Sequence, residues 1–360
     1  MSARTVSTLL FLLLVLILIM TNIRSLAVIL LVLYGILLVL SRYRALAMLD
    51  VPLHELNERY AVRVQPNMVE DGETDPPLPY RSHYILLDSP PNDEHLYPMV
   101  HYVDNGGPGP VLVALHGIMD SAHAWQGWMQ EIGADYRIVA LDLPGFGLTG
   151  PFLGGEYSPE AWVAFLDTFV ETLGIERFHL AGNSLGGMIA WHYALEYPDK
   201  VEKLILVDPA GYPQPVPQVL NLITLPGVSA VVPVLTPRWI FSRYVKEVFG
   251  DKSKVDQEMV DRFFEISLRP QNRPAMVHIF KLMKAQSHDL RASSQIPSIA
   301  VPVMMMWGEE DGWISIEHLE SWQRDCKTIQ RTVVYPGVGH VPHEEIPEQS
   351  ARDAREFLNA

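Results

Sequence analysis

The chain has 360 residues, with 27 Lys and Arg against 42 Asp and Glu and a formal net charge of −15. Hydrophobic residues make up 48% and charged residues 19%, which is the composition of a folded protein rather than a disordered one. The excess of acid excludes a nucleic-acid-binding surface, because phosphate contacts depend on Lys and Arg. The single cysteine, Cys326, excludes an intrachain disulfide and a zinc site built from several cysteines.

The first 44 residues contain no acidic side chain and carry two apolar runs, Val6–Ile23 and Leu26–Leu40. A single helix over both runs would be ~54 Å long, which exceeds the ~30 Å hydrocarbon core of a bilayer. It would also place Arg24 near the bilayer centre, at a cost of about 2.5 kcal/mol or more. We therefore predict a membrane anchor over residues 1–44, with two spans that turn at Asn22–Ser25 as the favoured arrangement.

Two other arrangements of this N-terminal stretch remain open. One is a single span followed by an interfacial segment. The other is a cleaved signal peptide, because Ser25, Leu26 and Ala27 form a small-x-small pattern. Arg42 and Arg44 follow the apolar run and favour the cytoplasmic side for the rest of the chain.

Residues 50–80 are polar and rich in proline near their end, which predicts a linker over residues 45–80 with one short helix at Leu53–Tyr60. From residue 81 onward, short β-type runs are followed by helical patterns. The predicted strands are His83–Leu87, Met99–Val103, Val111–Leu115, Tyr136–Leu141, Arg177–Ala181, Lys203–Val207, Val301–Trp307 and Thr332–Tyr335. The predicted helices are Ala122–Ile132, Pro159–Leu173, Leu185–Glu196, Ile316–Cys326 and Glu344–Leu358.

This alternation of strands and helices predicts an α/β fold, with a mostly parallel eight-stranded sheet covered by helices on both faces. Residues 212–295 interrupt the alternation with several prolines and a strongly apolar stretch, Leu220–Phe241. Because this segment lies between two strands of one sheet, we predict a helical cap over one end of the sheet. The predicted core is therefore divided into residues 81–211 and 296–360.

The sequence Gly182-Asn183-Ser184-Leu185-Gly186 matches G-x-S-x-G and lies between a predicted strand and a predicted helix. In that context the glycines permit a sharp turn that presents the serine above the sheet edge. A serine hydroxyl needs a base, and the base needs an acid to orient it. Asp311 and His340 each follow a late predicted strand, in the chain order that this motif requires.

Two other acidic side chains compete with Asp311 for its role. Glu310 precedes it directly, and Asp208 follows the predicted strand that ends at Val207. The sequence order favours Asp311 without excluding either of them.

Acyl transfer also requires hydrogen-bond donors for the oxyanion. The backbone N–H groups of Ile118, after the third predicted strand, and Leu185 are the natural pair. We expect His116 to be a structural hydrogen-bonding residue rather than a base. We expect the turn at residues 142–147 to be structural and to shape the wall of the substrate pocket.

A metal site is not expected. His340, His343 and Glu344 are close in sequence, but Pro342 breaks any shared helical face and no HExxH pattern occurs.

Together these motifs resemble the α/β-hydrolase family. They are the HG turn at 116–117, DLPGFG at 142–147, GNSLGG at 182–187, WGEED at 307–311 and GH at 339–340, and the resemblance runs from residue 81 to residue 360. It implies Ser184 as nucleophile, Asp311 as acid, His340 as base, a cap and no cofactor. A serine at position 184 argues against the dehalogenase and epoxide hydrolase branches, which use a carboxylate there.

Two branches of the family that use serine remain in view. Asn183 is similar to the residue found in the carbon–carbon bond hydrolases of aromatic degradation, but Gly312 replaces the arginine that usually follows their acid. The N-terminal apolar stretch resembles that of membrane-bound monoacylglycerol lipases and related esterases.

We therefore predict a membrane-anchored serine esterase that acts on small apolar esters at a lipid bilayer. Carbon–carbon bond hydrolysis is the alternative, and a non-catalytic binding module is the least favoured of the three interpretations.

Overall fold

The computed structural model describes residues 51–62, 80–87, 99–225, 227–233, 235–287, 289 and 293–360. Within it, Asp50–Pro233 and Arg238–Ala360 form one compact unit. The anchor predicted at 1–44 and most of the linker at 45–80 lie outside the described residues and stay predictions. In the ranges that are described, no helix is both long enough and apolar enough to cross a membrane.

One sheet of eight strands forms the centre of this unit. The strands are β1 Arg81–Leu86, β2 Met99–Asp104, β3 Val111–Leu115, β4 Arg137–Leu141, β5 Phe178–Asn183, β6 Val201–Val207, β7 Val303–Gly308 and β8 Ile329–Tyr335. Their order across the sheet is β1-β2-β4-β3-β5-β6-β7-β8. Strand β2 pairs antiparallel with β1 and β4, and every other pairing is parallel. The predicted eight-stranded, mostly parallel sheet is confirmed.

Helices follow most of the strands and fill the segment between β6 and β7. They are α1 Leu53–Tyr60, α2 Gln126–Ile132, α3 Pro159–Thr172, α4 Leu185–Glu196, α5 Gln218–Ile223, α6 Val228–Val231, α7 Arg238–Val248, α8 Gln257–Ile266, α9 Asn272–Gln286, α10 His318–Asp325, α11 Pro342–Glu345 and α12 Pro347–Asn359. Helix α1 has the bounds predicted from the sequence.

Local chemistry explains where the helices begin and end. Ser158 caps α3, because its hydroxyl accepts a hydrogen bond of 3.2 Å from the backbone N–H of Ala161. Gly174 follows the helix at φ +67°, a conformation that glycine adopts without steric cost. The helix predicted at Glu344–Leu358 is instead two helices. Pro347 has no N–H to continue the first helix, so it starts the second.

The two faces of the sheet are covered by different helices. Val113 and Leu115 pack on the face that holds α3 and α4, whereas Leu112 and Ala114 pack with aromatic side chains of α2 and α12 on the other face. This alternation along β3 is the expected result of burying a strand on both sides. Large side chains fill both layers: Phe165, Phe169 and Trp191 on one face, and Trp125, Trp128 and Phe357 on the other.

The segment between β6 and β7 lies against the carboxyl ends of the parallel strands. The Tyr244 hydroxyl on α7 donates to the carbonyl of Ile118, which follows β3, at 2.8 Å. The carbonyl of Val248, also on α7, accepts a hydrogen bond of 2.7 Å from the backbone N–H of His340, which follows β8. These bonds hold the cap helices over the strand ends. The exact limits of the cap, 212–295, stay a prediction.

Candidate active site

Ser184 occupies a strained turn between β5 and α4. Its backbone angles are φ +54° and ψ −113°, a region that residues with a side chain rarely adopt. Two backbone hydrogen bonds hold the turn: the Ser184 N–H donates to Val207 at 3.0 Å, and the Ala210 N–H donates to the Ser184 carbonyl at 3.1 Å. At Gly186 an added Cβ would lie 2.5 Å from the Leu115 carbonyl oxygen. The absence of a side chain there lets the helix start against β3.

His340 and Asp311 form a buried hydrogen-bonded pair. The distance from His340 Nδ1 to Asp311 Oδ2 is 2.7 Å, and their side chains are 4% and 0% exposed. The other Asp311 oxygen, Oδ1, accepts backbone N–H bonds from Trp313 at 2.7 Å and Ile314 at 3.0 Å. These donors keep the carboxylate aimed at the imidazole, and an acid so placed stabilises an imidazolium ion.

The second imidazole nitrogen of His340, Nε2, is buried and has no hydrogen-bond partner in the described part of the chain. It is therefore not bonded to the Ser184 hydroxyl in this structure. The bond between a catalytic base and its serine is often long without substrate and tightens in the reacting complex. The free nitrogen is the one that such a base uses, since Nδ1 is engaged by Asp311.

The two rival acids have different surroundings. Glu310 is exposed, whereas Asp208 is fully buried directly after β6. Oxygens of Asp208 and Asp311 and a ring nitrogen of His340 all lie within 4.8 Å of one another. Burial, the negative charge of Asp311 and a hydrogen bond with Asp311 raise the pKa of Asp208 well above its usual value.

The turn after β3 runs beside Ser184. An added Cβ at Gly117 would lie 3.3 Å from the Ser184 Cβ, and Ile118 lines the same cavity as Ser184. Leu185 is the first residue of α4, so its N–H has no partner within the helix. His116 bridges two turns, accepting from the Leu143 N–H at 2.9 Å. This is the structural hydrogen bonding expected of His116.

Asn183 has a role that its place in the sequence does not reveal. Its amide Nδ2 donates to the carbonyls of His340 at 2.9 Å and Val207 at 3.2 Å, and the residue is 1% exposed. It therefore ties the segment that carries His340 to the serine turn. The only signal available beforehand was its position next to Ser184.

A cavity opens above Ser184, with a volume of about 910 Å³ that includes space open to solvent. Its walls are mainly apolar and aromatic: Met188, Trp191, Val216, Leu220, Met283, Trp313 and Ile314. The polar side chains of the lining include Tyr212, Gln214, Ser287 and Asp289. No Lys or Arg occurs among the described residues that line it.

The turn at residues 142–147 does not line this cavity, contrary to the prediction. Gly145–Gly147 line a smaller neighbouring cavity, and Asp142 serves the fold. Its carboxylate accepts N–H bonds of 2.6 Å each from Ala122 and Leu148. The sequence could not show which side of the strand end the turn would face.

His343 does not join His340 in a metal site. Among the described residues, the one group of three or more possible metal ligands with atoms within 4.8 Å of one another is Asp208, Asp311 and His340. His343 is fully buried with its ring 4.4 Å from that of Trp125, and neither of its nitrogens has a hydrogen-bond partner in the part of the chain that the structure describes. Burial lowers the pKa of His343 to about 3.

A second Ser-His-Asp set lies elsewhere in the fold. His101 Nε2 is 2.7 Å from the Ser82 hydroxyl, and His101 Nδ1 is 2.7 Å from Asp142 Oδ2. None of the three residues lines the cavity above Ser184. Ser82 also accepts an N–H bond of 2.8 Å from Val62, so this set ties the segment after α1 to the sheet.

Comparison with known proteins agrees with this architecture. A sequence profile of the alpha/beta hydrolase fold matches residues 110–347. The chain belongs to the α/β-hydrolase family. A 2-hydroxy-6-oxo-2,4-heptadienoate hydrolase from Pseudomonas putida is 30% identical over 224 residues, which cover 61% of this hydrolase and 77% of the relative.

Solved structures share the fold of this α/β-hydrolase. A bacterial membrane phospholipase A superposes with a TM-score of 0.64 and 24% identity, covering 94% of this chain and 98% of that one. A meta-cleavage product hydrolase from Pseudomonas fluorescens gives a TM-score of 0.65 and 24% identity, covering 74% and 97% of the two chains. The family assignment makes this protein a hydrolase.

Proposed function

We propose that this hydrolase cleaves neutral carboxylic esters with an apolar acyl group, using Ser184, His340 and Asp311. The observation that carries the proposal is the cavity above Ser184. It is apolar along most of its wall, and no cation is found among its described lining residues. An apolar acyl chain gains about 25 cal/mol per Å² of surface buried there, and a neutral ester needs no counter-charge.

The proposed reaction uses the three side chains in turn. His340 Nε2 takes the proton of the Ser184 hydroxyl as the oxygen attacks the ester carbonyl, and Asp311 stabilises the resulting imidazolium. The N–H groups of Ile118 and Leu185 bind the oxyanion of the tetrahedral intermediate. His340 then protonates the leaving alcohol, and water hydrolyses the acyl-enzyme by the same steps in reverse.

Carbon–carbon bond hydrolysis of ring-cleavage products is the second candidate, because the Pseudomonas putida relative is named for a dienoate substrate. Such a substrate carries a carboxylate, and burying an unpaired charge is costly. Here Gly312 follows Asp311, and no Lys or Arg is found among the described residues that line the cavity. The carboxylate would lack a positive partner there, so we favour the ester reaction.

The two candidates are separated by comparing kcat/KM for p-nitrophenyl esters of increasing chain length with kcat/KM for a 2-hydroxy-6-oxo-dienoate. We expect the best ester to exceed the dienoate by at least about 100-fold, a difference of about 2.7 kcal/mol in transition-state binding. Ser184→Ala should abolish the ester reaction. A dienoate preference in the wild type would assign the chain to carbon–carbon bond hydrolysis.

The acyl part of the proposal has its own test on helix α5. Leu220 is 1% exposed and lines the cavity, whereas Leu222 on the same helix is 57% exposed. Leu220→Trp should shorten the preferred acyl chain, and the matched Leu222→Trp should leave the preference unchanged. The same chain-length profile in both variants would mean that the acyl chain lies elsewhere.

We also propose that residues 1–44 anchor the enzyme to a membrane, with the catalytic unit on the cytoplasmic side. The two apolar runs and the absence of acid among these residues support this. The full chain should sediment with membranes and be released by detergent but not by high salt. Full-length protein that stays in the supernatant after high-speed centrifugation without detergent would contradict the anchor.

A further inference from the structure

Two aspartates follow neighbouring strands and converge on His340. Asp208 comes directly after β6 and Asp311 comes after β7, and the backbone N–H of Asp208 donates to the Met306 carbonyl of β7 at 2.9 Å. One oxygen of each carboxyl group and one ring nitrogen of His340 lie within 4.8 Å of one another. The relay of Ser184, His340 and Asp311 proposed above uses only one of these two acids.

Asp208 is held in place at a conformational cost. It has φ +45°, a left-handed conformation that is uncommon outside glycine, and it is 0% exposed. Its Oδ1 accepts a 2.9 Å hydrogen bond from the Gly308 N–H. Its Oδ2 is buried without a donor in the described part of the chain. A buried ionised oxygen without a donor is strongly unfavourable, whereas a protonated one can itself donate.

The charges around Asp208 favour the protonated form. Asp311 faces it from the end of β7 and Glu345 from α11, and both raise its pKa. The hydroxyl of Tyr335 lies near it on β8, and a ring nitrogen of His340 lies within 4.8 Å of one of its oxygens. Burial and the neighbouring negative charges together favour the protonated form of Asp208.

We infer that Asp208 is a positioning residue of the relay. In the wild type it is a neutral acid that donates its proton toward Asp311. When Asp311 is lost, Asp208 ionises and orients His340. This rests on the proposed Ser184 mechanism. In the wild type, Asp208 restrains the Asp311 carboxylate together with the N–H groups of Trp313 and Ile314. When the Asp311 charge is lost, Asp208 still has a carboxyl oxygen within 4.8 Å of a ring nitrogen of His340.

The test compares Asp208→Asn, Asp311→Asn and the double variant with the wild type and Ser184→Ala, using one p-nitrophenyl ester. Asp208→Asn keeps a neutral donor beside Asp311, so its kcat/KM should stay within about tenfold of the wild type. Asp311→Asn should retain at least about tenfold more activity than the double variant. Removal of the only acid costs about 10⁴-fold in a Ser-His-Asp relay.

The pH dependence of kcat/KM distinguishes the two roles of Asp208, because a purely structural residue would not change it. In Asp311→Asn, activity requires Asp208 to ionise, and burial still raises the pKa of Asp208 after the charge of Asp311 is gone, so the acid limb of kcat/KM should move to higher pH. This measurement needs only the single variant and stands if the double variant does not fold.

Equal rates for Asp311→Asn and the double variant, or an unmoved acid limb, would overturn the inference. So would a larger loss for Asp208→Asn than for Asp311→Asn, because Asp208 would then be the ionised acid. A wild type no more active than Ser184→Ala would instead reject the proposed mechanism.

Discussion

Asn183 lies in the turn at Ser184, between β5 and α4, and its replacement tests whether this turn controls the position of His340. Replacing it by alanine removes two hydrogen bonds from its amide, to the carbonyls of His340 at 2.9 Å and Val207 at 3.2 Å. The Val207 carbonyl still accepts from the Ser184 N–H, but the His340 carbonyl loses this donor. One net hydrogen bond and one newly unsatisfied buried carbonyl together cost about 2–4 kcal/mol in the free energy of unfolding.

Asn272 offers a matched control. It is 4% exposed, and its Nδ2 also bridges two carbonyls, those of Gly147 at 3.0 Å and Ile266 at 3.2 Å. The Ile266 carbonyl keeps a second donor, the N–H of Arg269. The losses in Asn272→Ala are therefore of the same kind and size, but they occur away from His340.

Urea unfolding and ester kinetics separate the two effects. Both alanine variants should lose a similar amount of stability, measured at unchanged m-value. Only Asn183→Ala should lose activity in addition, by about 10–100-fold in kcat/KM, because a displacement near 1 Å in a catalytic group costs on that order. Equal kcat/KM for the two folded variants would refute the idea that Asn183 positions the base.

Three further changes test other parts of the structure. Gly186→Ala should destabilise the protein by about 1–3 kcal/mol, since its Cβ would lie within 2.6 Å of two backbone carbonyl oxygens. Gly312→Ala, with nothing within 4 Å, should be nearly neutral, and similar chemical denaturation midpoints for the two would contradict the packing argument. Tyr244→Phe removes the 2.8 Å bond to the Ile118 carbonyl and should lower kcat by less than the about 10²–10³-fold loss of an oxyanion donor itself. An unchanged kcat would mean that this contact between helix α7 and the turn at Ile118 does not affect the binding of the oxyanion. His343 has a pKa of about 3 when folded against 6.5 for the free side chain, so below pH 6.5 only the unfolded chain gains its proton and stability falls. His343→Phe should remove about 2 kcal/mol of the stability loss between pH 7 and pH 5, and an unaltered pH dependence of unfolding would reject this source.

The sequence predicted the sheet well because its central strands, such as β3, β4 and β5, are buried on both faces. Apolar runs such as Val111–Leu115 and Lys203–Val207 are short and bounded by turn residues, so their length and flanks identify them. The serine turn was predictable for a similar reason. Its glycines are required by close backbone contacts, as at Gly186.

Other features depend on contacts between distant segments and could not be predicted. Asp208 and Asp311 both follow strands, and only the three-dimensional structure shows that they meet at His340. The bridge from Asn183 to the His340 carbonyl spans 157 residues of sequence. The turn at 142–147 was misplaced because sequence position gives the end of a strand but not the direction in which its loop turns.

The most direct test of the account uses a fluorophosphonate probe, which reacts with an activated serine, followed by peptide mapping. The described residues include two Ser-His-Asp sets, and of their two serines Ser184 lines the cavity next to Ile118 whereas Ser82 does not. We predict one adduct, on Ser184, which is lost in Ser184→Ala and kept in Ser82→Ala. An adduct on Ser82, or labelling that persists in Ser184→Ala, would contradict the assignment of the nucleophile.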